Sequence, residues 1–215
     1  MSEMRLLPRT AIVSGTWGGS MKVIGLAGEA GCGKSAVGKN LAERKGIVWA
    51  DLDELAWETY RPNTPTYKRL ISHFGEGILA SNGDEIDRSK LAQIVFSDSE
   101  ALAYLNEVVH PVLNERMRVL IGAEAAKGTR ILLFEGALLG VSPHVDYSLF
   151  DAILWLVASR ETRAERLRAA GRAQHLEREA SSAKVTKTVE IDAEGSVEEI
   201  SKCILEAIER LPASS

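Results

Sequence analysis

The segment Gly28-Glu29-Ala30-Gly31-Cys32-Gly33-Lys34-Ser35 constrains this chain more than any other. It fits G-x-x-x-x-G-K-[ST] at every position, and a short apolar run over 22–27 (KVIGLA) leads directly into it. Helical periodicity follows over 35–44, with Val37 and Leu41 on one face and Gly46 as its stop. Strand, glycine-rich turn and helix, in that order, form the frame of a phosphate cradle. The glycines let the backbone approach closely, so that amide N–H groups converge on phosphate oxygens, and the helix start adds its positive end. Lys34 brings a point charge to the β- and γ-phosphates, and the Ser35 hydroxyl suits direct coordination of Mg²⁺. Gly28, Gly31, Cys32, Gly33, Lys34, Ser35 and Ala36 are therefore the expected nucleotide-binding residues. Cys32 reads as a small loop residue, although a helix N-terminus lowers thiol pKa values and would open a redox role.

Four further runs read as strands: 47–50 (IVWA), 131–134 (ILLF), 152–157 (AILWLV) and the alternating segment 185–191. Helical patterns separate them. A closing amphipathic helix spans 196–211, with Ser196 placed to cap it. Strands alternating with helices imply an α/β fold, with a parallel five-stranded sheet covered on both faces. A long, mostly helical insert over 54–128 suggests a lobe over the sheet's carboxyl edge, where open α/β sheets bind ligands. Pro111 marks a helix boundary or a kink within it. The expected organisation is a core over 21–53 and 129–212, a helical acceptor lobe over 54–128 and a lid over about 163–184. Residues 1–20 read as a loosely attached extension.

The net charge of −4, from 26 Lys+Arg against 30 Asp+Glu, argues against a broad nucleic-acid surface but not against a local polyanion pocket. Cys32 and Cys203 form no disulfide framework and lack zinc-ligand spacing, which favours a reducing cytoplasm. No apolar run approaches the roughly 18 residues of a membrane span. A cytoplasmic monomer without nucleic-acid or membrane partners is expected.

The acceptor side is read from charge placement. Asp51 and Asp53 end the second strand. Asp51 is assigned to helix capping or the outer shell of the metal, and Asp53 to the hydroxyl acceptor. Glu135 ends the third strand, as an outer-shell Mg²⁺ group or a hydrogen-bond partner of the loop. Arg160, Arg163, Arg166, Arg168 and Arg172 crowd the helix after the fourth strand. They suit a lid that neutralises phosphoryl charge, or a solvated face with i,i+4 pairs to Glu161 and Glu165. Charge placement alone leaves open which of these arginines reaches the phosphates.

Several segments together carry a family resemblance: IGLAGEAGCGKS, WADLDELAWE, RPNTPTY, FGEGIL, GDEIDRSKLAQIVFSD, VVHPVL and LFEGALL. Over 21–211 the chain resembles the dephospho-CoA kinases, and D-R-x-x-L-x-x-x-V-F followed by His-Pro is the distinctive part. The resemblance implies transfer of the ATP γ-phosphoryl group to the ribose 3′-hydroxyl of dephospho-CoA. It makes Asp53 the family's catalytic Asp, Arg88 an acceptor contact and His110 a substrate-side or structural histidine. Four departures stand out. Ala36 replaces the usual Thr, the lid is shorter, Ala170 stands at the second arginine of R-x-x-x-R-D, and Ala193 replaces the Asn of I-D-N-x-G. With Ala170 there, the resemblance makes Arg168 or Arg172 the expected catalytic arginine. The competing readings are a nucleoside or nucleotide kinase of the same core, or a nucleotide-binding module without catalysis. No N-K-x-D or LSGGQ-type segment supports a GTP switch or an ABC module.

Overall fold

A computed structural model of the chain describes residues 20–81, 83–136, 139–176 and 188–212. Expectations placed on residues 1–19 and on the lid segment 177–184 lie outside these. Five strands form one parallel sheet in the order β2-β3-β1-β4-β5. They are β1 (Lys22–Gly28), β2 (Ile47–Asp51), β3 (Ile131–Glu135), β4 (Ala152–Val157) and β5 (Thr188–Asp192). The α/β class and the five-stranded sheet agree with the sequence reading.

The pairing places β1 between β3 and β4, with Leu26 opposite Glu135 on one side and Leu154 on the other. After β1 the chain crosses to β2 beyond β3, and later returns to the opposite side of β1. The strand order thus reverses at β1, and a crevice opens at the carboxyl ends of strands at such a point. The loop after β1 occupies this position.

Because β1, β3 and β4 are covered on both faces, they read as near-continuous apolar runs rather than alternating ones. One face buries Ile24, Leu26, Leu133 and Leu154 under α1 (Lys34–Ala42) and the C-terminal helix, Val197–Glu209. That last helix turns Ile200, Ile204 and Ile208 inward at four-residue spacing, each contributing about 2 kcal/mol by burial. It starts at a full capping box: Ser196 Oγ accepts from the Glu199 N–H, and the Glu199 carboxylate accepts from the Ser196 N–H. Helix α1 ends at Ala42, before the expected stop; Gly46 instead serves the turn into β2 with φ +84°.

The chain divides into two compact units. Among the described residues, one holds most of the sheet and takes in those of 20–50, 121–142 and 147–212; the other takes in those of 51–120 and 143–146. The second unit is helical, with α2 (Leu52–Thr59), α3 (Pro65–Phe74), α4 (Arg88–Ser97) and most of α5 (Ser99–Ala126). Asp51, Thr64, Asp87 and Asp98 each accept from backbone N–H groups at the start of the helix that follows. The core of this unit is Leu70, Ile78, Ile86, Leu91, Val95, Ala101, Val108 and Val109.

Pro111 neither ends a helix nor separates two. It lies inside the single 28-residue helix α5. The missing N–H is tolerated because Val108, Val109, Leu113 and Met117 bury a stripe around it, and that burial outweighs one backbone hydrogen bond. Among the described residues no helix is long and apolar enough to cross a membrane.

Candidate active site

The loop after β1 is tied down residue by residue. Gly28 and Gly31 have φ of +136° and +87°. A Cβ on Gly28 would lie 2.5 Å from the Leu156 carbonyl oxygen of β4. On Gly31 it would lie 2.7 Å from the carbonyl oxygen of Arg163, in the helix α6 (Arg160–Ala169). The loop therefore fits against its neighbours only as bare backbone. Gly31→Ala is expected to weaken ATP binding about tenfold or more and to lower Tm, since a left-handed residue with a side chain costs about 1–2 kcal/mol before any clash. Titration calorimetry and a melting curve check this; unchanged ATP affinity would count against the loop geometry.

Gly33, with φ +89°, is the N-cap of α1, and no side chain caps that end. The first-turn N–H groups of α1 are thereby left for a ligand. Lys34 Nζ donates to the carbonyl oxygens of Gly28 (2.8 Å) and Glu29 (3.0 Å), so the loop itself fixes its ammonium. Ser35 Oγ donates to Glu135 Oε1 at 3.1 Å. With its proton directed at Glu135, the Ser35 oxygen offers lone pairs elsewhere, which fits a direct Mg²⁺ ligand backed by an outer-shell carboxylate. Among the described residues no group of three or more His, Cys, Asp or Glu could hold a metal. A nucleotide site needs none, because Mg²⁺ there takes one or two protein oxygens together with phosphates and waters.

Cys32 turns its side chain into the core beneath α1 and is fully buried. Burial pushes its thiol pKa up, against the lowering effect of Lys34 and Arg163. The redox role fails for that reason. Ala36 lies exposed on the first turn of α1.

The arginines with contacts to the loop are Arg163 and Arg166. Arg168 and Arg172 are exposed at the far end of α6 and just beyond it. Arg163, nearly buried, pairs through Nη2 with Glu29 Oε2 at 3.1 Å. Arg166 Nη1 donates to the carbonyl oxygens of Ala193 (2.8 Å) and Cys32 (3.4 Å), and its Nη2 to that of Gly195 (2.9 Å). Arg166 thus joins the phosphate loop to the turn after β5. Glu194 holds the same turn from the other side, accepting from the Ser159 N–H and Thr162 Oγ1 at the start of α6. Those hydrogen bonds, led by Thr162, keep its carboxyl below the usual range. Ala193, in the place of the expected Asn, is buried and offers only backbone.

In the helical unit, Asp51 Oδ1 accepts from the N–H groups of Asp53 (2.8 Å) and Glu54 (3.3 Å). Asp51 is a capping residue, which leaves the Asp53 side chain exposed in the first turn of α2. Arg88 opens α4, 3.9 Å from Glu54 Oε2 and 5.2 Å from the Trp57 ring centroid. Arg61 stacks closer on Trp57, at 3.5 Å, and pairs with Glu85 at 2.9 Å. Tyr60 shares the neighbourhood. Its pKa is pushed up by burial, with Asp53 and Glu54 adding to the rise and Arg88 opposing it. Arg61, Trp57 and Tyr60 escape sequence reasoning, because single residues on a helical pattern read as surface or core.

His110 lies on α5 with its ring 5.2 Å from that of His144. Its Nδ1 is buried without a hydrogen-bond partner. Burial first, and His144 second, lower its pKa to about 4, so it is neutral at pH 7.

A family model described as dephospho-CoA kinase matches residues 22–195. The chain belongs to the dephospho-CoA kinase family. A dephospho-CoA kinase from Streptomyces avermitilis is 40% identical over 151 residues, covering 68% of this chain and 69% of its own length. One from Listeria monocytogenes is 33% identical over 171 residues, covering 80% and 82%. Among solved structures, a protein from Thermus thermophilus aligns with a TM-score of 0.67 at 27% identity, covering 90% of this chain and 100% of that one. A dephospho-CoA kinase from Campylobacter jejuni, at TM-score 0.59 and 17% identity over 87% and 95%, shares the fold.

Proposed function

We propose that this chain transfers the γ-phosphoryl group of ATP to the ribose 3′-hydroxyl of dephospho-CoA, giving coenzyme A and ADP. The observation that carries this reading is the loop of residues 28–35, with Lys34 held by its carbonyls and Ser35 on Glu135, inside a chain that belongs to this family.

The loop amides and the start of α1 bind the β- and γ-phosphates, and Lys34 neutralises charge on them. Ser35 Oγ, backed by Glu135, would hold Mg²⁺, which would supply further neutralisation of phosphate charge. Asp53 orients the acceptor hydroxyl and accepts its proton as the new P–O bond forms and the bond to ADP breaks. Transfer is direct and in line, without a phosphoenzyme. Arg88, with Arg61 beside it on Trp57, gives the acceptor's phosphates a cationic contact. Cytoplasmic placement suits a chain whose two cysteines are free.

An acceptor panel tests the assignment. With ATP and Mg²⁺, dephospho-CoA is expected to turn over at least about 10²-fold faster than any nucleoside or nucleoside monophosphate, since a site built to pair an acceptor's polar groups rejects those lacking them. A faster nucleoside acceptor would move the chain to the competing kinase reading. No turnover with any acceptor, despite ATP binding, would leave a binding module.

A further inference from the structure

The second residue of the phosphate loop, Glu29, carries a negative charge next to the groups that receive a triphosphate. Such a carboxylate opposes binding unless something neutralises it. Arg163 does so from α6. Its side chain is only 10% exposed against 34% for Glu29, and the two meet at 3.1 Å. The backbone of Arg163 also underlies Gly31, so α6 meets the loop at both a charge and a close backbone approach. The contact extends to the catalytic lysine, because the Glu29 carbonyl is one of the two that hold Lys34 Nζ. Arg163, Glu29 and Lys34 therefore form one chain of contacts, from helix to loop to ammonium. A largely buried ion pair adds little net stability compared with apolar residues of the same volume, so fold stability alone does not account for it.

We propose that Arg163 is a positioning residue for ATP: it neutralises Glu29, holds that carboxylate on α6 and thereby fixes the loop carbonyl that orients Lys34. Arg163 is then no lid finger and makes no contact with the transferred phosphoryl group. The inference rests on the reading of the loop as the ATP site.

Arg163→Met, Glu29→Gln, the double variant and Arg163→Lys test it, by ATP titration calorimetry, steady-state kinetics and melting curves. Arg163→Met leaves Glu29 uncompensated and is expected to raise the Kd and KM for ATP about tenfold, with KM for dephospho-CoA unchanged. The double variant removes both charges and is expected to regain most of that loss. Arg163→Lys keeps a cation and is expected to lie between Arg163→Met and the wild type. A structural pair would move Tm without this pattern. Wild-type ATP affinity in Arg163→Met, or a double variant as weak as Arg163→Met, would overturn the proposal. Should Arg163→Met not fold, Arg163→Gln and Arg163→Gln/Glu29→Gln provide the same comparison. Wild-type protein that binds no ATP would instead sink the functional reading beneath it.

Discussion

Lys34→Met is expected to lower kcat by about 10³-fold, equivalent to about 4 kcal/mol in the barrier. The expectation follows from where the ammonium sits. The carbonyl oxygens of Gly28 and Glu29 hold Nζ at 2.8 and 3.0 Å, so its position is set by the loop and not by the arriving nucleotide. A charge fixed in advance does not have to reorganise as negative charge shifts during transfer, and such groups typically account for about 10²–10³ in rate when removed. ATP affinity is expected to fall less than kcat, because the loop amides and the α1 N-terminus still bind phosphate. Lys34→Arg is not expected to rescue turnover: the guanidinium is planar and larger, and two loop carbonyls already define a site for a compact ammonium. Steady-state kinetics with ATP and dephospho-CoA, alongside a melting curve, checks both variants. A kcat for Lys34→Met within threefold of wild type would remove Lys34 from the machinery.

How far the sequence reached depends on what each feature rests on. The loop and the buried strands were legible because their signals are local. A glycine-rich turn between an apolar run and a helical pattern has few other uses, and β1, β3 and β4 are apolar because both faces of the sheet are covered. Asp51 was readable as a cap, since an Asp before a helix start has an obvious use, and its side chain accepts from two first-turn N–H groups. Pro111 left two readings open, a helix boundary or a kink, and the structure rules out the boundary. Its local cost is real, but the buried stripe from Val108 to Met117 overrides it. The arginines of α6 were not separable by sequence. Arg163, Arg166 and Arg168 lie within two turns of one helix, and only the placement of β5 and the loop sorts them. Arg163 faces Glu29, Arg166 faces the turn after β5, and Arg168 is exposed. Likewise nothing in the spacing of Trp57, Arg61 and Glu85 announces that they stack and pair, because the contact joins segments 24 residues apart.

Asp53→Asn separates binding from chemistry. Asn keeps the size and hydrogen-bonding capacity of the side chain but neither carries charge nor accepts a proton to become neutral. Because the Asp53 backbone N–H, not its carboxylate, is used in the helix cap, the substitution leaves the start of α2 intact. Stability is therefore expected to change by less than about 0.5 kcal/mol, as for other surface substitutions. ATP affinity is expected to stay within about threefold, since the proposed nucleotide contacts lie in the loop and not at Asp53. Turnover is expected to fall by about 10²–10³-fold, the range for losing a positioned proton acceptor. An alcohol with a high pKa gives up its proton late in a loose transfer, so a carboxylate contributes by orientation as well as by basicity. Asp53→Glu tests the orientation part: it restores the charge on a longer arm and is expected to recover only a fraction of kcat. A variant with full turnover would mean that the proton leaves by another route, and the exposed carboxylate of Asp53 would lose its assigned role.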